Sequence, residues 1–507
     1  MKILPKRERL FKVEKRSVHL GSVSGGFQAG RLNRLTADWV STPTTIDNKI
    51  FKDLRVMQAR SRDLVDNTAV GRRIIQLSKA NVIGTGMRLQ MKIRKLNGDL
   101  DTSANEKIEN AWKEWSKRQN CTVTKRQTLR QFQKKAIASY KMDGEVIVQI
   151  KRNFDNDFNF ALMFIDPERL DLNLNRARTK STNEIRLGVE INRFGEPIRY
   201  YFKKQTDIVS TVIIGNTQTA QDYDIVSADE IIHLYDDDRV GQTRGYPMMA
   251  SVMTNIRNLD GYVEAELVAA RVASAKMGFY LDKDGSGVDG EDEPGDTGDL
   301  LQDAEPGAFE KLPPGTEFET FDPTHPTTAF PDFVRSQKRE IASGSGVSYE
   351  TLASDLTGAN YSSMRSGLLV ERDLWTMDQN DFEDGLMTVI FNAWLPIQVL
   401  NGNILLPFRK MDKFNNPTWQ AKRWPWVDPS KDVKAAIDEI DNQLKSRGQV
   451  IAERGGDRED TFLQIKADEQ SAEKVGIELT DNRATPAPVS ESVGEEEEEE
   501  SEGGQDA

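Results

Sequence analysis

Cysteine and histidine are scarce: the 507 residues include Cys121 alone and three histidines, His19, His233 and His325. A single cysteine cannot close a disulfide within the chain, and scattered histidines cannot complete the ligand spacing of a structural zinc site. The expectation is a reduced, intracellular protein with no metal and no other cofactor. Long apolar runs are lacking as well, none approaching the about 20 residues of a membrane span, so no membrane partner is expected. The basic N-terminus MKILPKRERLFKVEKR has no apolar stretch or cleavage site behind it and does not read as a secretory signal. Catalytic signatures are missing too: the sequence holds no GxSxG, no GxxxxGK[ST] and no HExxH.

Positive charge is in deficit, with 68 Lys and Arg against 81 Asp and Glu and a net charge of -13. Phosphate neutralisation supplies most of the affinity of a sequence-reading duplex binder, so that class is disfavoured. A surface along which DNA must slide is a different matter, because an acidic or mixed lining would keep a passing duplex from sticking. Nine Lys or Arg fall within the first 35 residues, yet the rest of the chain has no basic patch of comparable density.

What is present reads as several modules, since 507 residues exceed one ordinary core. Residues 1–45 pass from basic to Gly-, Ser- and Thr-rich and read as a flexible arm. Apolar spacing suits helices from Asn48 to Lys79, broken at Gly84 and Gly86. A strand is expected at Met87 to Ile93, then helices through Ile108 to Trp115 and Leu129 to Tyr140. Glu145 to Lys151, Leu187 to Ile191, Ile198 to Phe202 and Glu230 to Leu234 read as strands, so the first half is mixed α and β. From Pro247 to about Met277 a helical rod of about 45 Å is expected. On it Arg257, Asp260, Glu264 and Arg271 line one polar face, either solvated or turned toward a channel or a neighbouring subunit.

Residues 283–303 are acidic, Gly-rich and expected as an exposed loop. After them Phe309, Phe318 and Phe321 sit in a segment too small to bury its own aromatics, which hints at burial against another subunit. A second helix follows Pro331 and stops at Gly344. Leu352 to Ser363 is small and polar, and a helix from about Met364 is expected to end at Pro396. Trp419, Trp424 and Trp426 read as core. A helix before Gly448 and another at Arg458 to Glu473 precede a disordered acidic tail ending near Glu495 to Glu500. Asp236, Asp237 and Asp238 could be offered as metal ligands, but adjacent carboxylates diverge and read as a solvated loop. His233, between apolar residues, reads as a satisfied core histidine.

Several segments resemble the lambda-type family of phage portal proteins. They run in order from Arg60-Ser61-Arg62-Asp63-Leu64 through Asn81-Val82-Ile83-Gly84-Thr85-Gly86, Asp143-Gly144-Glu145 and Ile165-Asp166-Pro167-Glu168-Arg169-Leu170. Gly241-Gln242-Thr243-Arg244-Gly245-Tyr246-Pro247, Gly346-Val347-Ser348-Tyr349-Glu350 and the stretch from Asp355 to Arg365 complete the set. The resemblance implies a non-enzymatic, ring-forming subunit, typically one of twelve, through which double-stranded DNA passes. It further implies an α/β wing at 46–246, a stem helix at 247–281, a clip at 282–330 and a second stem helix at 331–346. The tunnel-loop region would be 347–363, with Asp355, Thr357, Gly358, Asn360, Tyr361, Ser362 and Ser363 in the loop. A wing-spanning helix and return would fill 364–430, a crown 431–476 and an acidic tail 477–507. Implied partners are the large subunit of the terminase, a head-tail adaptor, and the major capsid and scaffold proteins, with the protein sited in the virion. Another structural virion protein, such as a minor head or adaptor protein, is the alternative; two long helices around a compact insert disfavour it.

Overall fold

The computed structural model describes residues 43–98, 100–204, 223–274, 278–282, 316–320, 329–358, 360–424, 429–454, 456 and 458–475. The expected arm up to residue 42, the acidic loop from 283 and the tail from 477 lie outside them.

Helix α1 (Ile46–Asn67) starts where the Thr45 hydroxyl accepts from the Asn48 N–H, and α2 (Ala69–Ser78) starts where Thr68 does the same for Gly71. Each cap satisfies a backbone donor that the helix itself cannot. Helix α2 widens into a π turn, Lys79–Ile83, that ends at Gly84. Strand β1 (Arg88–Met91) and helix α3 (Thr102–Trp115) follow. Helix α4 (Leu129–Asp143) opens on a Thr128/Gln131 capping box and closes on left-handed Gly144.

Strands β2 (Glu145–Arg152), β3 (Phe160–Ile165) and β8 (Ile231–Tyr235) form an antiparallel sheet in the order β3-β2-β8. Strand β2 is buried on both faces. Val146, Val148 and Ile150 join the main core while Ile147 joins a second, smaller one, as alternation along a strand requires. That second core is closed by β5 (Val189–Ile191), β6 (Pro197–Lys203) and β7 (Tyr223–Ser227), which with β4 (Glu184–Arg186) form an antiparallel meander.

The expected rod is shorter than its periodicity suggested. A 3-10 turn, Met248–Ser251, leads into α5 (Met253–Ser274), 22 residues and about 33 Å, and the chain then enters β9 (Gly278–Asp282). Strand β10 (Thr316–Thr320) pairs antiparallel with β9, so the end of the segment assigned to the first stem helix and part of the clip segment form one two-stranded unit. Helix α6 (Phe330–Gly344) returns beside α5. Its end is close to the start of α5, where a Cβ on Gly344 would stand 2.4 Å from Val252 Cγ1. Its beginning meets Tyr262, whose ring lies 5.6 Å from Phe330 and 5.1 Å from Phe333. The two helices are therefore an antiparallel pair.

After the short α7 (Tyr349–Ala353), helix α8 (Tyr361–Phe382), a π turn (Glu383–Thr388) and α9 (Val389–Leu400) make one long rod. Pro396 does not end it. Phe391, Trp394, Leu395 and Gln398 are all buried around it, and that packing offsets the roughly 3 kcal/mol an interior proline costs a helix. The rod crosses the main core, where Trp112 touches Trp115, Trp394, Phe391 and Trp419 at 4.7 to 5.7 Å between centroids. Trp419 lies on β11 (Pro417–Gln420), which pairs with β1 and brings the far end of the chain back to the first helices. The C-terminal part holds α10 (Pro429–Asp441), α11 (Arg447–Glu453) and α12 (Arg458–Val475). The helix expected before Gly448 is α10, which ends at Asp441, and Gly448 lies inside α11, whose start Ser446 and Gln449 cap reciprocally.

Candidate functional site

Four of the motif segments converge on one buried charge node. Glu145 opens β2 and Arg244 comes from the loop after β8; Arg244 Nε donates to the two Glu145 oxygens at 3.0 and 2.8 Å. The rest of the guanidinium donates to the carbonyls of Leu170, Leu187 and Pro167 at 3.3, 3.2 and 3.1 Å. His233 Nε2 lies 2.8 Å from the other side of Glu145, so the core histidine is satisfied by a carboxylate. From α1, Gln58 donates to the Asp143 carbonyl and to Glu145, while Arg62 spans Asp143, Asp166 and Glu168 at 2.7, 2.9 and 2.7 Å. Burial alone would raise the Glu145 carboxyl, but Arg244 and His233 outweigh it and hold the group down to about 2. Asp143 moves the other way, raised by burial against the pull of Arg62.

Two glycines let the node close. At Gly144, φ is +85° and a Cβ would stand 2.0 Å from the Tyr246 carbonyl carbon; at Gly245 it would stand 1.9 Å from the Gly144 oxygen. Only backbone fits between them. Every charge named here has a partner, so the node is a clamp joining α1, β2 and the segments before and after the meander.

The second feature is the segment between α6 and α8. Ser348 caps α7, and its hydroxyl donates to Glu371 at 2.7 Å. Glu371 also accepts from Thr351 Oγ1 and Trp375 Nε1 at 3.0 and 3.2 Å, a buried hub on α8 that sequence reading missed. Arg73 donates to the Thr351 carbonyl and to Ser354 Oγ. Beyond this anchor the chain turns outward. The Tyr349 hydroxyl donates to Asp355 at 2.7 Å and the Thr357 N–H at 3.0 Å, which together hold that carboxyl well below its usual range. Thr357, Gly358 and Asn360 are exposed, and a Cβ added at Gly358 (φ +78°) would meet nothing within 4 Å. Tyr361, Ser362 and Ser363, expected in the loop, form the first turn of α8 instead.

On α5, Arg257, Asp260, Glu264 and Arg271 are all exposed and share the face that helical spacing predicts. Arg257 pairs locally with Asp260 at 3.6 Å. Phe309 and Phe321 lie outside the described residues; Phe318 is on β10, opposite Tyr280. The three carboxylates at 236–238 do not converge: Asp238 accepts from the Tyr246 hydroxyl, and among the described residues no group of three His, Cys, Asp or Glu is placed to hold a metal ion. Among those residues no helix is long and apolar enough to cross a membrane.

Comparison with known proteins matches residues 32–379 to a family described as phage portal protein, lambda family. A probable portal protein of Halomonas phage phiHAP-1 is 32% identical over 461 residues, covering 89% of this chain and 87% of that protein. Portal protein B of Escherichia phage lambda is 24% identical over 473 residues, 84% of this chain and 85% of its own length. A solved structure described as the neck of a native GTA particle computed with C12 symmetry superposes with a TM-score of 0.42 and 12% identity, over 80% of this chain and 94% of that one.

Proposed function

The chain belongs to the lambda family of phage portal proteins, and from that premise we propose that copies of it close into a ring, of the order of twelve, around a hole that passes double-stranded DNA. The family match over residues 32–379 carries this reading. In it the antiparallel pair α5 and α6 serves as the stem, the β9/β10 unit belongs to the clip, and the segment Ser354 to Asn360 is the tunnel loop. The anchoring of α7 on Glu371 and Arg73 supports that last role, because it fixes the base of the segment and leaves its tip exposed. The polar stripe of Arg257, Asp260, Glu264 and Arg271 faces the channel or the next copy, and Phe309, Phe318 and Phe321 serve the clip interface. The ring sits in the virion at a capsid vertex, meets the large terminase subunit during packaging and a head-tail adaptor afterwards, and contacts capsid and scaffold proteins during assembly in the host cytoplasm. The subunit itself performs no catalysis.

Imaging of the purified full chain tests the reading. Class averages with rotational symmetry and a central hole wide enough for a duplex are expected; a single-copy species under every assembly condition overturns it.

A further inference from the structure

Trp424 carries two cations. The Arg372 guanidinium and the Lys422 ammonium each lie 6.0 Å from its ring centroid, and both side chains are half-buried. Their platform is fixed: Asn81 Oδ1 accepts from Trp424 Nε1 at 3.1 Å and from Lys422 Nζ at 2.9 Å, and the Ala80 carbonyl accepts from Lys422 at 2.8 Å. The lysine stem crosses Gly84, where φ is +54° and a Cβ would stand 2.7 Å from Lys422 Cδ. Gln379 ties the Lys422 carbonyl to those of Asn81 and Val82.

Among the described residues neither cation is paired with a carboxylate. Burial, and then the charge of Arg372, pushes the Lys422 ammonium below its usual range. Two half-buried like charges without a counter-ion are unfavourable unless an anion joins them. Lysine has three donors, of which the protein uses two, and the planar guanidinium offers five in a fork that matches phosphate oxygens. Arg372 lies eleven residues, about 16 Å, along α8 from its start next to the exposed segment, with Arg365 one heptad earlier on the same face.

The geometry points to an oxyanion site, formed by Arg372 and Lys422 over Trp424, that takes a phosphate group of the passing DNA. The choice of DNA as the source rests on the conduit reading; free phosphate has the same chemistry. One such site per copy is a discrete hold on the backbone, compatible with a chain of net charge -13.

The assembled full chain is titrated with a mixed-sequence duplex of about 20 base pairs and, separately, with inorganic phosphate, as wild type, Arg372→Gln and Lys422→Gln. Each substitution should weaken both ligands by roughly tenfold, the loss that one charge-assisted contact represents, and should flatten the dependence of duplex affinity on salt. Lys422→Gln also strips hydrogen bonds from Ala80 and Asn81, so Arg372→Gln decides if the lysine variant fails to fold. Unchanged duplex affinity and salt slope in a natively melting Arg372→Gln ring overturn the proposal. Loss of phosphate binding with duplex binding intact overturns DNA as the source. Rings are scored in the same samples, so a missing ring, which overturns the conduit, is told apart from a ring indifferent to Arg372, which overturns only the site.

Discussion

Arg244 and Glu145 meet 99 residues apart in sequence with neither side chain in contact with solvent, and the arginine divides its donors between that carboxylate and three backbone carbonyls. Removing one partner of such a pair strands the other charge in the core, which costs about 3–5 kcal/mol. Arg244→Met should lower the stability of the full chain by that amount in a chemical denaturation series, and Arg244→Lys should recover little, because an ammonium cannot span the same five acceptors. The pair also sets an acid limit. Glu145 titrates near 2 in the folded state and near 4.5 when unfolded, so its contribution is fully present above about 4.5 and is lost as pH falls toward 2. Arg244→Met should blunt that part of the acid-unfolding curve; a curve identical to wild type would contradict the pairing.

Gly144 and Gly245 make a sharper case, because the obstacle is backbone and cannot swing aside. Gly144→Ala combines a contact near 2 Å with a positive φ that alanine resists, and should destabilise by about 3 kcal/mol or more. Gly195→Ala is the control, since its φ of +91° is similar but no atom lies within 4 Å of the added carbon. Thermal melting of the two variants should separate crowding from backbone strain; equal losses would mean that the close approach is unimportant.

Glu383 begins the π turn between α8 and α9, and burial, opposed by Arg423 and aided by Asp384, raises its carboxyl to about 7. The folded chain therefore binds this proton more tightly than the unfolded chain does. The associated stability is full below about 4.5 and falls as pH rises through 7. Glu383→Gln cannot lose a proton, so its melting temperature should change less than that of wild type between pH 5 and pH 8. Parallel pH profiles would show that the group titrates normally.

Deletion of residues 355–359 should spare the Ser348–Glu371 anchor and the first turn of α8, where the Met364 N–H donates to the Asn360 carbonyl. In the conduit reading the variant should assemble rings of wild-type symmetry yet package or retain less DNA. Normal genome content in particles built from it would count against the loop assignment.

How much of this was legible beforehand depended on the range of each interaction. Thr45, Thr128 and Ser348 cap the helices they precede, within three residues, and the alternation around β2 is local as well. Arg244 gave no such sign. Its partners at 145, 167, 170 and 187 are brought together only by the sheet and meander, and the same is true of Lys422 against Asn81. His233 could be read as a satisfied core residue, but the identity of its partner could not. Pro396 misled because local propensity is overruled by the burial of the helix around it. The spacing of Arg257, Asp260, Glu264 and Arg271 fixed their common face, yet a single chain does not reveal what that face meets.

Strand β1 at Arg88–Met91 has β11 at Pro417–Gln420 as its partner. A ribosome adding about 5–20 residues per second reaches that partner roughly 15–65 s after the first strand emerges. For that interval its edge lacks its final cover, and the indole surfaces of Trp112 and Trp115 wait for Trp394 and then Trp419. Nascent chains truncated anywhere before residue 417 should therefore be the ones that stick together, and a holding chaperone would find its target at the beginning of the polypeptide.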